Sequence, residues 1–307
     1  MGPKRMVVEL AVVATALYAV AVGALFVMQD GMLFPRGAVR PPVEPLPAAA
    51  EHWTLTSADG ATLYGVHLPP REGDGPIVLG FPGNAWNAQD YAVFLHERLP
   101  DAHVVAFHYR GYAPSEGRPS ERALVADGLA IVDRLRGRWP ERAIVPVGAS
   151  IGSGVAAAVL AERDVAGAVL ISPFDSVRAL AAARYPWVPV GWLLRHPFDS
   201  AARLETVKRP VAVISAGRDQ LVPPGRTAAL LESVATLVDH HVFADAGHGD
   251  LYDEPRFGAV LADAVDAVVA AQGGAGTRKT ASPVSQRTKR PSGGMPGVPA
   301  ATRTTGT

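Results

Sequence analysis

The sequence contains no cysteine. That absence excludes disulfides, thiolate metal sites and a cysteine nucleophile, while leaving the compartment open. Net charge is also missing, because 29 basic residues balance 29 acidic ones. The balance is uneven along the chain. Residues 272–307 carry six basic side chains (Arg278, Lys279, Arg287, Lys289, Arg290 and Arg303) and no acid, so the first 271 residues hold 23 basic against 29 acidic. A mildly acidic body offers no basic stripe, and no nucleic-acid partner is expected. Neither G-x-G-x-x-G nor G-K-[ST] occurs, which removes the usual phosphate-cradling loops. The tandem His240 and His241 have no third ligand at metal-binding spacing and read as strand residues. No cofactor and no metal are therefore expected.

What is present begins with length. With 307 residues and 48% hydrophobic content, the chain can bury a sizeable core, as one large α/β domain or two small ones. After a short flank (1–6), residues 7–28 form an apolar run with a single charge, Glu9. As a helix this run spans the ~30 Å hydrocarbon layer of a bilayer. Lys4 and Arg5 precede it, which would keep the N-terminus cytoplasmic and place the body on the extracytoplasmic side of a single-pass membrane protein. The competing readings are a cleaved signal peptide, with Ala19, Val20 and Ala21 as its small-residue site, and a buried helix of the body. Residues 29–50 contain Pro35, Pro41, Pro42, Pro45 and Pro47 and read as an extended tether. Removal of residues 1–28 is accordingly expected to release a soluble, active body.

The folded domain is expected over 51–271. Residues 51–56 and 62–68 alternate polar and apolar around Ala58, Asp59 and Gly60, a hairpin signal. Strands then alternate with helices: strands at 77–81, 103–107, 143–147, 165–171, 211–216 and near 240–243, and helices at 90–99, 120–139 and 257–271. Such βαβ alternation implies a mostly parallel central sheet covered by helices on both faces. The Pro, Ser, Thr and Gly-rich stretch 272–307 is too poor in apolar surface to order itself and reads as a disordered basic tail.

Residues 143–160 organise the rest. An apolar strand runs into Gly148, Ala149, Ser150, Ile151 and Gly152, the pattern G-x-S-x-G, and then into an alanine-rich helix. That strand–turn–helix context presents a serine hydroxyl at a sharp turn, with glycines where a side chain would collide. A nucleophilic serine needs a base, a group that orients the base, and donors for the developing oxyanion. Asp219 follows the strand at 211–216, and His248 lies in a glycine-flanked loop further on. Gly80, Phe81, Pro82, Gly83 and Asn84 close the first buried strand, so that the backbone amides of Asn84 and Ile151 could face one another as an oxyanion hole.

With these blocks in place the chain resembles the membrane-anchored α/β-hydrolases related to the yeast bud-emergence suppressor proteins and their animal relatives. The resemblance is carried by FVMQDGMLFP at 26–35, FPGNA at 81–85, YRGYAPSEG at 109–117, GASIGSG at 148–154, ISPFDS at 171–176 and GRDQLVPP at 217–224. It implies an α/β-hydrolase fold preceded by one N-terminal transmembrane helix, with Ser150 as nucleophile, Asp219 as acid, His248 as base, and Asn84 and Ile151 as oxyanion-hole positions. Four positions depart from the family pattern: Pro82 stands for a histidine, His108 for an aspartate, Ala113 for a glycine, and Pro146 removes a ladder donor from the strand before Ser150. Arg110 and Ser115 read as structural groups pinning their loop.

Between 174 and 204 the alternation pauses at a short cap, whose stretch 185–194 is aromatic and apolar. Trp187 and Trp192 are expected there as walls for a hydrophobic acyl or alcohol group, in a pocket that fills at modest chain length because the cap is short. The expected activity is cleavage of carboxylic ester or thioester bonds in a small-molecule or lipid-like acyl substrate. Amide or peptide hydrolysis on the same scaffold, and a catalytically silent binding protein, are the alternatives. Protein partners and oligomeric state are not legible.

Overall fold

The computed structural model describes residues 3–274. Its first element, α1 (Pro3–Leu33), has 31 residues and a mean hydropathy of 2.4 over its most apolar window, none of it buried. At 1.5 Å per residue this helix is ~46 Å long, more than the ~30 Å a hydrocarbon layer needs. It overruns the expected 7–28 segment at both ends, because no proline interrupts the chain between Pro3 and Pro35. The extra C-terminal turn carries Gln29 and Asp30 and delivers Phe34, only 2% exposed, into the core. Residues 29–50 are thus not a free tether. Beyond a 3-10 turn at Arg36–Ala38 the prolines prevent regular structure, yet the body holds this segment by its otherwise unpaired backbone groups. The Asp90 carboxylate accepts from the amides of Val43 (3.0 Å) and Glu44 (3.1 Å), and Asn87 Nδ2 donates to the Arg40 carbonyl at 3.1 Å.

The body is built on an eight-stranded sheet: β1 (Glu51–Thr56), β2 (Thr62–Leu68), β3 (Ile77–Phe81), β4 (His103–Phe107), β5 (Ile144–Ala149), β6 (Ala168–Ile171), β7 (Val211–Ala216) and β8 (Leu237–Phe243). The spatial order is β1-β2-β4-β3-β5-β6-β7-β8, antiparallel from β1 to β4 and parallel from β4 onward. Strand alternation sorts the core. Ile77, Leu79 and Phe81 of β3 point to the face covered by α3 (Glu121–Arg138) and α4 (Ile151–Glu162). Val78 points to the opposite face, covered by α2 (Ala88–Arg98) and α9 (Phe257–Gly274), and the shorter α5 (Val177–Arg184), α6 (Val190–Leu193), α7 (Ser200–Leu204) and α8 (Pro224–Leu231) lie between α4 and α9 in the chain. Ser120 caps α3 by accepting from the Ala123 amide at 3.2 Å, and Asn87 caps α2 through Gln89 at 2.9 Å. α9 absorbs the first three residues of the expected tail. The remainder of 272–307, with its basic cluster, lies outside the described residues.

Pro146 sits in a strand that is paired on both sides. Because the Ala166 amide donates to the Ile144 carbonyl, Ile144 and Pro146 turn their backbone groups toward β6. The missing donor thus faces the start of β6, whose pairing with β5 runs only from Val147 opposite Val169. The sheet tolerates the proline by shortening its neighbour.

The loop after β4 is held by ion pairs under a nearly closed surface. Arg110 grips Asp127 of α3 through two nitrogens, Nε to Oδ2 at 2.9 Å and a second, shorter contact, and also meets Asp59 in the β1–β2 turn. Ser115 donates from Oγ to the His108 carbonyl (2.9 Å) and accepts from the Tyr64 amide (3.0 Å). His108 itself is buried, and desolvation pulls its pKa down to about 4, so the imidazole is neutral at physiological pH. Removing one partner of a buried pair strands the other charge. Arg110→Ala should therefore cost ~3 kcal/mol or more and lower the Tm by roughly 6 °C or more for a body of this size. Thermal denaturation that shifts by under ~2 °C would show that the loop is held without this pair.

Candidate active site

Ser150 lies between the end of β5 and the start of α4 with φ 52° and ψ −118°, a conformation that costs a non-glycine residue roughly 1–3 kcal/mol. The surroundings enforce it. A Cβ at 148 would stand 2.3 Å from the Gly152 carbonyl oxygen, and a Cβ at 152 would stand 2.1 Å from that of Phe81. Only glycine at both positions allows β3, β5 and α4 to converge so closely. The Ser150 amide donates to the Ile171 carbonyl at 2.8 Å and Ser153 Oγ donates to the Ser150 carbonyl at 2.6 Å. With its backbone spoken for, Ser150 projects its hydroxyl off the C-terminal edge of the sheet.

Two loops from neighbouring strands meet that hydroxyl. Asp219, three residues beyond β7, is 5% exposed. Its Oδ1 accepts from the amides of Leu221 (2.9 Å) and Val222 (2.7 Å), and its Oδ2 faces His248 Nδ1 at 2.7 Å. A carboxylate can only accept, so Nδ1 carries the proton and Nε2 is left as the acceptor. Nε2 lies 3.0 Å from Ser150 Oγ. The His248 loop after β8 is tied down by the Gly247 amide, which donates to Asp250 Oδ1 at 2.7 Å. The three residues singled out in the sequence, 69 and 29 positions apart, are thus joined by two hydrogen bonds. Asp175, the other nearby carboxylate, instead pairs with Arg226 at 3.1 Å.

The turn after β3 comes up beside Ser150. A Cβ at Gly83 would sit 3.9 Å from Ser150 Cβ, and Tyr109 Oη donates to the Pro82 carbonyl at 2.8 Å, fixing this turn from below. Asn84 and Ile151 line the same cavity as Ser150. Ile151 opens α4, where a first-turn amide has no intrahelical acceptor and the helix dipole favours negative charge.

That cavity measures about 1050 Å³. Its floor holds Ser150, one side is the cap, formed by α5 (Val177–Arg184), α6 (Val190–Leu193) and the residues around them, and another comprises Gln220, Leu221, Val222 and Pro223 beyond β7. Trp187 and Trp192 do not line it. Trp192 is 92% exposed and Trp187 49% exposed. The reason for Trp192 is helical phase: in the single turn of α6, Val190 and Leu193 share the inward side, as does Leu194 just beyond it, which leaves Trp192 outward. Trp187 meets α1 instead, its carbonyl accepting from Tyr18 Oη at 3.0 Å. Trp192→Ala should therefore leave the acyl chain-length dependence of any ester turnover within about twofold of wild type, as truncation of an exposed side chain normally does. A flattened nitrophenyl ester series for that variant would put the indole back in the pocket.

The remaining wall went unrecognised in the sequence. Val22, Leu25, Phe26, Gln29, Met32 and Leu33, all on α1, border the cavity. Their spacing of three and four was visible, but in a run apolar on every side it carries little contrast.

A parallel sheet with a serine on a strained strand-to-helix turn, a histidine bridging it to a buried aspartate, and a cap over the strand ends defines an α/β-hydrolase. The profile of the family described as Hydrolase_4, "Serine aminopeptidase, S33", matches residues 75–200. An uncharacterized protein of Mycobacterium tuberculosis is 35% identical over 239 residues, covering 76% of this chain and 83% of that protein. The chain belongs to this family of α/β-hydrolases. It is also similar to the lysophosphatidylserine lipase ABHD12 of Rattus norvegicus, 31% identical over 169 residues, which covers 48% of this chain but 42% of that protein. Among solved structures the Pyrococcus furiosus esterase Pf2001 superposes with a TM-score of 0.58 at 20% identity, over 74% of this chain and 98% of that one. At that identity the likeness concerns the fold.

Proposed function

We propose that this protein is a membrane-tethered serine hydrolase that cleaves carboxylic ester or thioester bonds through an acyl-enzyme. Ser150 Oγ attacks the acyl carbon while His248 Nε2 takes its proton; the same imidazole then returns the proton to the departing alkoxide or thiolate. Asp219 holds the imidazole in the tautomer that can accept from Ser150 and stabilises the imidazolium that forms. The amides of Asn84 and Ile151 receive the oxyanion. Water, activated by His248 in its turn, attacks the acyl-enzyme and frees the acid. α1 is the membrane span, with the hydrolase body on the extracytoplasmic side.

The observation that carries the ester reading over the aminopeptidase in the family's description is the cavity lining. Among the described residues that border it there is no aspartate or glutamate, and most are aliphatic or aromatic. A site that docks the α-ammonium group of a peptide needs a buried anion, since an unpaired charge in such a pocket is costly. An acyl chain needs apolar surface and gains about 0.8 kcal/mol per methylene buried. The lipase name of the similar Rattus norvegicus protein points the same way. The test is a panel of nitrophenyl esters, acyl thioesters and aminoacyl amides, run with fluorophosphonate labelling on the full chain in detergent. Ester or thioester turnover well above aminoacyl amide turnover is the expected result. A preference for unblocked aminoacyl amides would replace this reading with a peptidase.

A further inference from the structure

α1 does more than reach the body. Val22, Leu25, Phe26, Gln29, Met32 and Leu33 recur every three or four residues and form one stripe along the cavity. The other side of the same turns, with Val20 and Val27, is open to the surroundings. A set of polar contacts fixes which side faces in. Gln29 Nε2 donates to the Leu193 carbonyl at 3.2 Å, and its Oε1 accepts from the Arg195 amide at 2.9 Å. The Arg195 guanidinium reaches Asp30 at 3.0 Å and lies 4.2 Å from the centroid of the Phe26 ring. At the lower end Asn84 Nδ2 approaches the Leu33 carbonyl at 3.4 Å, and Phe34 packs edge-on against His196. A helix docked only for stability would close against the cap. Here it is clamped at its margins, and a cavity of about 1050 Å³ that reaches Ser150 stays open along it.

We propose that α1 is a wall of the acyl-binding site: the substrate's acyl chain lies between the Val22, Leu25, Phe26 and Met32 stripe and the cap, with its carbonyl at Ser150, and this stripe sets chain-length selectivity. The proposal rests on the reading of Ser150 as nucleophile. It names a medium or long single acyl chain as the ligand, because a cavity at the upper end of the ~300–1,000 Å³ range of ligand sites is larger than a short acyl group fills. The residues that select the substrate therefore belong to the same helix that would cross the bilayer.

The test compares acetyl, hexanoyl and dodecanoyl nitrophenyl esters with the full chain in detergent micelles. In wild type, kcat/KM should rise with chain length. Leu25→Trp, which adds bulk inside the cavity, should lower the dodecanoyl-to-acetyl ratio by about 15-fold, the loss from excluding two methylenes. Leu25→Ala, which removes bulk, should raise the ratio of kcat/KM for a hexadecanoyl ester, added to the series, to that for the dodecanoyl ester above the wild-type ratio, so that a misfolded tryptophan variant does not decide the matter. Val27→Trp, two positions away and facing outward, should keep the wild-type ratio. A second arm is free of catalysis: Ser150→Ala should bind a fluorescent dodecanoic acid analogue, and adding Leu25→Trp should weaken that binding about tenfold. Ester turnover with fluorophosphonate labelling but unchanged ratios and unchanged fatty-acid binding in both Leu25 variants overturns the α1 wall alone. A wild type that neither labels nor hydrolyses any ester overturns the nucleophile reading, and the fatty-acid arm then judges the wall by itself.

Discussion

Ser150→Ala is expected to abolish stoichiometric labelling by a fluorophosphonate and to lower ester turnover by about 10⁶, the scale on which triad serines act. The proposed mechanism concentrates the chemistry on one atom. Ser150 Oγ is 3.0 Å from the only ring nitrogen of His248 that is free to accept, since the other faces Asp219 at 2.7 Å. The residue before it in the chain and the one after it cannot substitute, because the turn at φ 52° aims a single side chain at this point. Ser153 is buried and its hydroxyl is committed to the Ser150 carbonyl. The variant should fold normally, as alanine removes one oxygen and keeps the same backbone. Intact-mass analysis after labelling and the hydrolysis rate of a nitrophenyl ester check the expectation. A Ser150→Ala protein that still acquires one phosphonyl group would assign the nucleophile elsewhere.

Asp219→Asn should be nearly as damaging, with a loss on the order of 10⁴ in kcat, and the hydrogen bonds say why an almost isosteric change is not conservative. Oδ1 accepts from two backbone amides, those of Leu221 and Val222. In asparagine the single carbonyl oxygen must take that place, because an NH₂ group there would meet two donors. The amide nitrogen is then directed at His248 Nδ1, and two donors would again confront each other unless the imidazole moves its proton to Nε2. In that tautomer Nε2 points a hydrogen at Ser150 Oγ and cannot receive one. Asp219→Asn should therefore retain the wild-type Tm within a few degrees while losing turnover. A variant near wild-type activity would mean that another carboxylate orients the imidazole. Asp175 is poorly suited to do so, being paired with Arg226.

The sheet and Ser150 were legible because their determinants are local. Alternation over 51–56 and 62–68, continuous apolar runs at 77–81, 103–107 and 211–216, and the glycines at 148 and 152 act within a few residues, and the strands observed at those places have the same bounds. Ser120 announced the start of α3 by the same kind of signal. The order of Ser150, Asp219 and His248 along the chain, each just past a strand, was visible too. Their distances were not, because they depend on how far neighbouring parallel strands carry their loops.

Tertiary structure alone decided three things. The first is the fate of residues 29–50, where prolines correctly excluded regular structure but said nothing about Asp90 and Asn87 catching the free amide and carbonyl groups. The second is which cap side chains face Ser150, since a one-turn helix is too short for periodicity to reveal its inner face, and Trp192 turned outward while Val190 and Leu193 turned in. The third is the contribution of α1. Composition determined that residues 7–28 form a long apolar helix, but an all-round apolar helix has no amphipathic contrast from which a docking face can be read. Only packing, with Gln29 and Asp30 bonded to the cap, selected the stripe that borders the cavity. Removing residues 1–28 would take Val22, Leu25 and Phe26 with it, so the segment that composition marks as separable is physically a side of the site.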